Sequence, residues 1–186
     1  LSDLDRLTDE SLRARLIPAA SRLSVLAGGR GPAESEPLDP ARVDSFLDRL
    51  LPLAPNLIVD VPAGLGPLAR MVAERADHRI LVTQPLVSAL RGAKTLQDAI
   101  AGTKAPADSL ALTVNMRGGW PRAEIPAGEI AHAMTRPVDA TVPHAPGIFA
   151  KAELTGKGFA RGRTTRKTLA PLAPLARRIA GIEAGD

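Results

Sequence analysis

A short segment around residue 60 constrains the fold of this chain more than any other. Three apolar residues, Leu57 to Val59, run directly into Asp60, and Val61, Pro62 and Gly64 come next. A short, wholly apolar run is typical of a strand that is buried on both faces in a parallel sheet. In open α/β sheets, ligands bind just beyond the carboxyl ends of the strands, which is where Asp60 would lie. The segment therefore predicts a parallel α/β protein with a functional carboxylate at one edge of its sheet.

Helical and strand patterns alternate along the rest of the chain. Strands are predicted at 21–27, 57–61, 79–83, 109–115 and near 138–142. Helices are predicted within 1–20 and at 40–51, 66–75, 86–100, near 127–134 and near 169–181. Alternation at this spacing favours an α/β fold with a doubly wound, mostly parallel sheet. A chain of 186 residues is long enough for a substantial core, and we expect residues 1–186 to form a single domain.

The composition excludes several kinds of site. The chain has no cysteine, so disulfides and thiolate metal sites are excluded, and its three histidines lack metal-ligand spacing. No apolar run reaches the roughly 18 residues of a membrane span, and no signal peptide is visible, so we expect a soluble, cytoplasmic protein. The first residue is Leu1 rather than methionine, which suggests that an N-terminal portion is absent.

The net charge of +4 is unevenly distributed along the chain. Between Lys151 and Arg178 there are eight lysines or arginines and one acidic residue, Glu153. A stretch of this kind can contact nucleic acid, an anionic lipid or an acidic partner, or it can form a solvated face. The charge pattern alone leaves these interpretations open.

Asp60 has two interpretations, and the residues after the strand bear on the choice between them. A carboxylate at a strand end can hold magnesium through water, because hard cations prefer oxygen ligands, or it can cap the next turn. Pro62 fixes the turn, and Gly64 allows a backbone N–H group to approach a γ-phosphate closely. The chain contains no G-x-x-x-x-G-K-[ST] phosphate loop, which is the usual partner of such a segment.

Asn115 ends a second apolar strand, and we expect it at the same sheet edge as Asp60. An amide there can read the donor and acceptor groups of a purine, or it can form a turn. The loop around Pro143 comes after the next predicted strand. It either packs over the same base or forms a connection that proline stiffens.

Several segments together resemble the MinD/ParA family of deviant-Walker ATPases. Residues 58–64 are similar to its Walker B and switch II segment, and residues 81–93 resemble its strand-and-helix signature with T-x-P, Ser-Ala and Arg-x-Ala elements. Residues 112–115 resemble its adenine-proximal strand. The later part is similar to the CpaE/TadZ branch, through Asn115, Gly118, a helix led by Ile125, Val142-Pro143, Phe149 and Gly156.

The resemblance implies a P-loop NTPase-like fold that is incomplete at its N-terminal side, with 1–186 as the C-terminal part of the ATPase domain. It also implies ATP and magnesium as cofactors of the intact parent. Asp60 would serve magnesium through water, Gly64 the γ-phosphate, and Asn115 with Pro143 the adenine. Pro62 is counted with the nucleotide-binding residues because it fixes the turn. No catalytic residue is assigned, because the family's phosphate loop and catalytic lysines precede this stretch. We expect this chain alone to bind no cofactor tightly and to hydrolyse negligible ATP.

In the CpaE/TadZ branch, the resemblance implies a role in the assembly and positioning of Flp-type (Tad) pili. The expected partners are a second copy of the protein and the pilus secretion machinery. The expected location is cytoplasmic, polar, and membrane-associated through those partners. Three alternatives remain: a degenerate scaffold that does not hydrolyse ATP, a ParA-like partition protein whose basic stretch contacts DNA, and a MinD-like membrane-targeting protein. Nucleic acid is not the expected partner, because the segments after Asn115 resemble the pilus branch.

Overall fold

The computed structural model describes residues 7–27, 39–62, 64, 66–103, 106–156 and 163–181. The chain divides into two compact units, Leu1–Arg75 and Ala76–Asp186, here called the amino unit and the carboxyl unit. No helix in the described ranges combines the length and the apolar character that a membrane span requires.

The described part of the amino unit combines three α-helices with a small antiparallel hairpin. Its elements are α1 (Asp9–Arg15), β1 (Ile17–Ala20), β2 (Leu23–Val25), α2 (Pro40–Leu50) and α3 (Pro67–Arg75). Helix α2 begins where the sequence predicts: the Asp39 side chain accepts a hydrogen bond from the Ala41 N–H, and Pro40 occupies the first helical position. Five buried side chains from the three helices form its core: Leu12, Phe46, Leu47, Leu50 and Val72.

The strand predicted at 57–61 is wrong. Residues 56–62 have no regular secondary structure and belong to neither of the two sheets of the described chain. Ile58 is 89% exposed, and Asp60 is exposed as well. An apolar run supplies strand propensity, but a strand also needs a neighbour that pairs with its backbone N–H and C=O groups. Among the described residues, this segment has no such neighbour.

The carboxyl unit is an α/β fold built on a parallel sheet. Its strands are β3 (Arg79–Thr83), β4 (Leu110–Arg117) and β5 (Ala140–Pro143), in the order β3-β4-β5. Its helices are α4 (Val87–Ala101), α5 (Ala127–Met134), α6 (Pro146–Thr155), α7 (Arg163–Leu169) and α8 (Ala173–Ile179). All described strand pairs in this sheet are parallel. The predicted fold class is therefore confirmed, with strands at 79–83, 109–115 and 138–142 close to their predicted positions.

Helices cover both faces of this sheet. Leu81 and Leu112 face a core that includes residues of α4 and α5, among them Leu90 and Ile130. Neighbouring positions on the strands point to the opposite face, where Ala111 and Ala140 contact Leu175 of α8. This two-sided packing is what doubly wound sheets require, and it explains why β4 reads as a nearly continuous apolar run.

Two further predictions need correction. The strand expected at 21–27 is only the short β2, and its partner β1 was not predicted. One helix, near 169–181, was predicted after the loop around Pro143, and the structure has α6, α7 and α8 there. Helix α6 has proline at its first position and ends at Gly156, whose φ of 60° is left-handed. Proline at the first helical position and a left-handed glycine at the end are ordinary helix boundary signals. The prolines of this stretch kept these helices from being predicted.

Candidate functional site

The carboxyl ends of β3, β4 and β5 meet at one edge of the sheet, because the three strands are parallel. Hydrogen bonds between the connecting loops hold this edge together. The His144 N–H donates to the Arg117 carbonyl at 2.8 Å, and the Ile125 N–H donates to the Pro85 carbonyl at 2.9 Å. Asn115 and Pro143 both lie at this edge. Asp60 was expected at the same edge, but it follows no strand and belongs to neither sheet of the described chain.

A bulge in β4 changes the positions of the residues at this sheet edge. Val114 pairs with Thr141 and Arg117 pairs with Pro143, so β4 has one more residue than β5 between these pairs. Met116 lies within this interval at φ 59°, a left-handed conformation that is uncommon for a residue with a side chain. Bulges are frequent beside active sites, where they redirect a side chain. Here the bulge sets the position of Asn115.

The Asn115 amide is held by one of its two polar atoms. Its Oδ1 accepts a hydrogen bond from the Met116 N–H at 2.8 Å, and the side chain is half-buried. Among the described residues, no acceptor bonds its Nδ2 group. An amide N–H₂ can donate to the ring nitrogens of adenine, which are acceptors. The geometry thus gives Asn115 a turn-forming role and leaves its Nδ2 amide group available to donate to a ligand.

The loop after β5 contacts an aromatic residue of the turn that follows β4. Pro143 and His144 are exposed, and the His144 ring lies 6.1 Å from the Trp120 ring, centroid to centroid, at an interplanar angle of 36°. Gly119 makes this approach possible, because a Cβ there would lie 3.2 Å from the His144 Cγ. The half-buried Trp120 therefore contacts the loop that was expected to pack over a base.

Glu124 organises the turn between β4 and α5. Its Oε1 accepts hydrogen bonds from the N–H groups of Gly118, at 2.7 Å, and Trp120, at 3.0 Å, and its Oε2 pairs with Arg117 at 3.2 Å. The bonds from Trp120 and Gly118, with the charge of Arg117, lower the pKa of Glu124 against an opposing desolvation effect. Consecutive glycines at 118 and 119 are typical of a turn, but no local pattern marks the glutamate that stabilises it.

The other predicted site residues belong to the amino unit. Asp60 and Pro62 lie in the irregular, exposed segment, and Gly64 comes after them with a φ of 131°, a conformation that requires glycine. Within the described chain, no hydrogen bond or ion pair reaches the Asp60 carboxylate. The carboxylate is therefore accessible to a ligand. Asp60 does not lie at the end of a buried strand, which would fix its position.

The available side-chain ligands decide which kind of magnesium site this chain can form. In the described ranges, no three histidine, cysteine, aspartate or glutamate residues are placed to hold a metal ion together. Magnesium that serves a nucleotide is held by one or two carboxylates, by waters and by phosphate oxygens. A single accessible carboxylate at Asp60 fits that partial role, and it does not fit an all-protein metal site.

Solved structures share this fold. A ParA family ATPase from Chlorobium tepidum TLS matches 93% of this chain and 72% of its own length, with a TM-score of 0.78 and 20% identity. MinD from Pyrococcus horikoshii OT3, a septum site-determining protein complexed with Mg-ADP, matches 80% of this chain and 60% of its own length, with a TM-score of 0.63 and 23% identity. The MinC:MinD cell division protein complex from Aquifex aeolicus matches with a TM-score of 0.62 and 16% identity.

These matches identify the fold as that of the ParA/MinD ATPases, a P-loop NTPase-like fold. The chain spans only 60% of the MinD length and 72% of the ParA length, so its fold is incomplete relative to theirs. No family model matches the sequence, and no curated protein matches it.

Proposed function

We propose that residues 1–186 are the C-terminal part of a single ATPase domain of the MinD/ParA type, in a protein of the CpaE/TadZ branch that assembles and positions Flp-type pili. The observation that carries the proposal is the fold of the described chain, which ParA and MinD structures share. The pilus branch rests on the sequence segments after Asn115. They resemble that branch in order and spacing.

The proposed nucleotide-binding roles follow the family resemblance, residue by residue. Asp60 serves magnesium through water, Gly64 serves the γ-phosphate in a turn that Pro62 fixes, and Asn115 with Pro143 binds the adenine. The uncommitted Nδ2 of Asn115 and the exposed Asp60 carboxylate support these roles. ATP and magnesium supply the phosphoryl chemistry when they are bound. The residues of this chain orient the nucleotide and the magnesium. They do not cradle the triphosphate, because the sequence has no phosphate loop.

A strand supplied by upstream chain is part of the proposal. Within the described residues, β3 pairs only with β4, and its Ile80 and Val82 side chains are 48% and 57% exposed. Residues 57–61 have strand propensity without a partner. In the resembled family, the strand before the phosphate loop lies beside the Walker B strand. A longer parent protein would therefore bury apolar groups that are exposed here.

The proposed partners are a second copy of the intact protein and the pilus secretion machinery at a cell pole, on the cytoplasmic side. The MinC:MinD structure gives a precedent for a protein of this fold in complex with a partner. A partner would bring the protein to the membrane.

The first experiment tests nucleotide binding in the protein expressed from its complete reading frame. Removing the Asn115 side chain deletes one amide donor, which corresponds to about 3- to 10-fold in affinity. We expect Asn115→Ala to weaken ATP binding by this factor and Asp60→Asn to reduce the magnesium dependence of binding. Asn56→Ala and Asp98→Asn, at exposed positions, are the matched controls.

The same variants separate the alternatives. If the intact protein binds no ATP with or without magnesium, the scaffold interpretation replaces the ATPase. Pilus counts in cells that carry a deletion, or the Asp60→Asn variant, test the pilus role, and normal piliation in the deletion strain contradicts it. Steep salt dependence of binding to duplex DNA would instead favour a ParA-like partition protein, because each phosphate contact releases counterions.

A further inference from the structure

The turn between β4 and α5 fixes the backbone of Trp120. The Trp120 N–H donates to the Glu124 carboxylate at 3.0 Å, and its carbonyl accepts hydrogen bonds from the N–H groups of Ala123, at 2.8 Å, and Glu124, at 3.1 Å. Gly118 in the same turn has a φ of 88°, a positive value that glycine adopts without strain. Both backbone polar groups of Trp120 are therefore bonded, and the backbone that carries its indole ring is in place before any ligand binds.

This turn also holds the loop after β5. The Trp120 and His144 rings lie 6.1 Å apart, which is within the range of favourable aromatic pairs. The His144 N–H donates to the Arg117 carbonyl at 2.8 Å. A Cβ at position 119 would lie 3.2 Å from the His144 Cγ, so a residue larger than glycine would crowd the loop there. Pro143 directly precedes His144, and these contacts therefore restrict its position as well.

Helix α6 gives this loop little support from the other side. It begins at Pro146, and none of its residues is buried. Its Leu154 is 88% exposed. A segment with few buried apolar contacts opens at a small cost in free energy. The loop at Pro143 therefore depends on the turn at Trp120 for a fixed position.

A fixed loop favours binding of the base in particular. In the proposed function, Pro143 binds the adenine. A loop that already has its bound conformation loses less conformational entropy when the ligand binds, and this increases affinity. Neither the turn nor the loop has a role toward the phosphates in that site, so the gain applies to ligands that carry the base.

We propose that Trp120 is a positioning residue for base recognition. Through its ring contact with His144, it holds the loop at Pro143 where the adenine binds, and it makes ATP bind more tightly than a triphosphate without a base. This inference rests on the proposed function and deepens it, because it adds a residue that the resemblance to the ATPase family does not assign.

The experiment compares ATP with inorganic tripolyphosphate, each with magnesium, by calorimetry on the protein expressed from its complete reading frame. Wild-type protein should prefer ATP. Trp120→Ala should weaken ATP binding by about 3- to 10-fold, which corresponds to one aromatic pair, and should leave tripolyphosphate binding unchanged. Trp120→Phe keeps an aromatic ring and should restore most of the lost affinity.

A double-mutant cycle tests the ring contact itself. His144→Ala should weaken ATP binding by the same factor as Trp120→Ala. The double variant should be no weaker than either single variant, because both substitutions remove the same contact. His132→Ala, at an exposed position of α5, is the matched control for His144→Ala and should leave ATP binding unchanged.

Three results would overturn the proposal. They are an undiminished preference for ATP in Trp120→Ala, equal weakening of ATP and tripolyphosphate binding, and losses that add fully in the double variant. If Trp120→Ala does not fold, His144→Ala removes the same contact from an exposed position. A wild-type protein without any preference for ATP would instead contradict the proposed adenine site, and this inference with it.

Discussion

Glu124 stabilises the turn beside the sheet edge through several contacts of a single side chain. Its carboxylate is only 7% exposed and binds two backbone N–H groups as well as the Arg117 guanidinium. These contacts all favour the charged form, and they lower its pKa below the ordinary value of 4.5. The unfolded chain therefore binds a proton more readily than the folded chain does, so the contribution of Glu124 to stability depends on pH.

The lowered pKa sets the sign of this dependence. The stabilisation is fully present above the unfolded pKa of 4.5 and is lost as the pH falls through the lower folded pKa. We therefore expect Glu124→Gln to lower Tm at pH 7, and the difference from wild type to shrink below pH 4.5. Thermal unfolding monitored by circular dichroism across this range is the measurement.

Glu153→Gln is the matched control for this prediction, because Glu153 is exposed on α6. Its effect should be small at every pH. A Tm difference for Glu124→Gln that is constant from pH 7 down through the acid range would show that geometry, and not charge, accounts for its role.

At the scale of elements, the core of the carboxyl unit lies between β4 and the helices α4 and α5. Leu112 of β4 is fully buried there, together with Ile130 and Met134. Leu154 of α6, by contrast, is 88% exposed. The two leucines allow the same substitution to be compared at a buried and an exposed position.

Leu112→Ala should lower the free energy of unfolding of the carboxyl unit by about 2–5 kcal/mol, because it removes buried methyl groups and leaves a cavity. Leu154→Ala should change it by less than about 0.5 kcal/mol. Denaturant unfolding followed by circular dichroism measures both. Similar losses for the two variants would contradict the assignment of the core.

Local signals predicted several elements well and failed most clearly at residues 57–61. Asp39 and Pro40 set the start of α2, and the apolar periods of β3, α4 and β4 set their positions within a few residues. Residues 57–61 have an equally strong strand pattern, yet they form no ladder. A pattern reports which backbone conformation a segment prefers. Whether that segment becomes a strand depends on a neighbour elsewhere in the chain.

In the molecule as a whole, the exposed apolar strand edge is the feature that most strongly indicates pairing with a further strand. Edge strands with free N–H and C=O groups invite pairing with another strand. We expect amides in peptides spanning 57–62 and 79–83 to exchange with deuterium faster in this chain than in a longer protein that carries the proposed upstream strand. Hydrogen exchange measured by mass spectrometry makes this comparison.

Peptides from 110–117 serve as the internal reference, since β4 is the central strand and pairs on both sides. Their exchange should be slow in both proteins. Unchanged, fast exchange at 57–62 in the longer protein would contradict the proposal that an upstream strand completes the sheet.

The α/β class, the mostly parallel sheet and the position of Asn115 near the end of a strand could all be predicted from the sequence. These depend on periodicity, on capping residues and on the fact that parallel strands end together. Packing and backbone pairing set the bulge at Met116, the contacts of Glu124 and the exposure of residues 57–61, none of which the sequence predicted. Each of these depends on groups distant in sequence, because burial and hydrogen-bond partners are set by what packs against a residue.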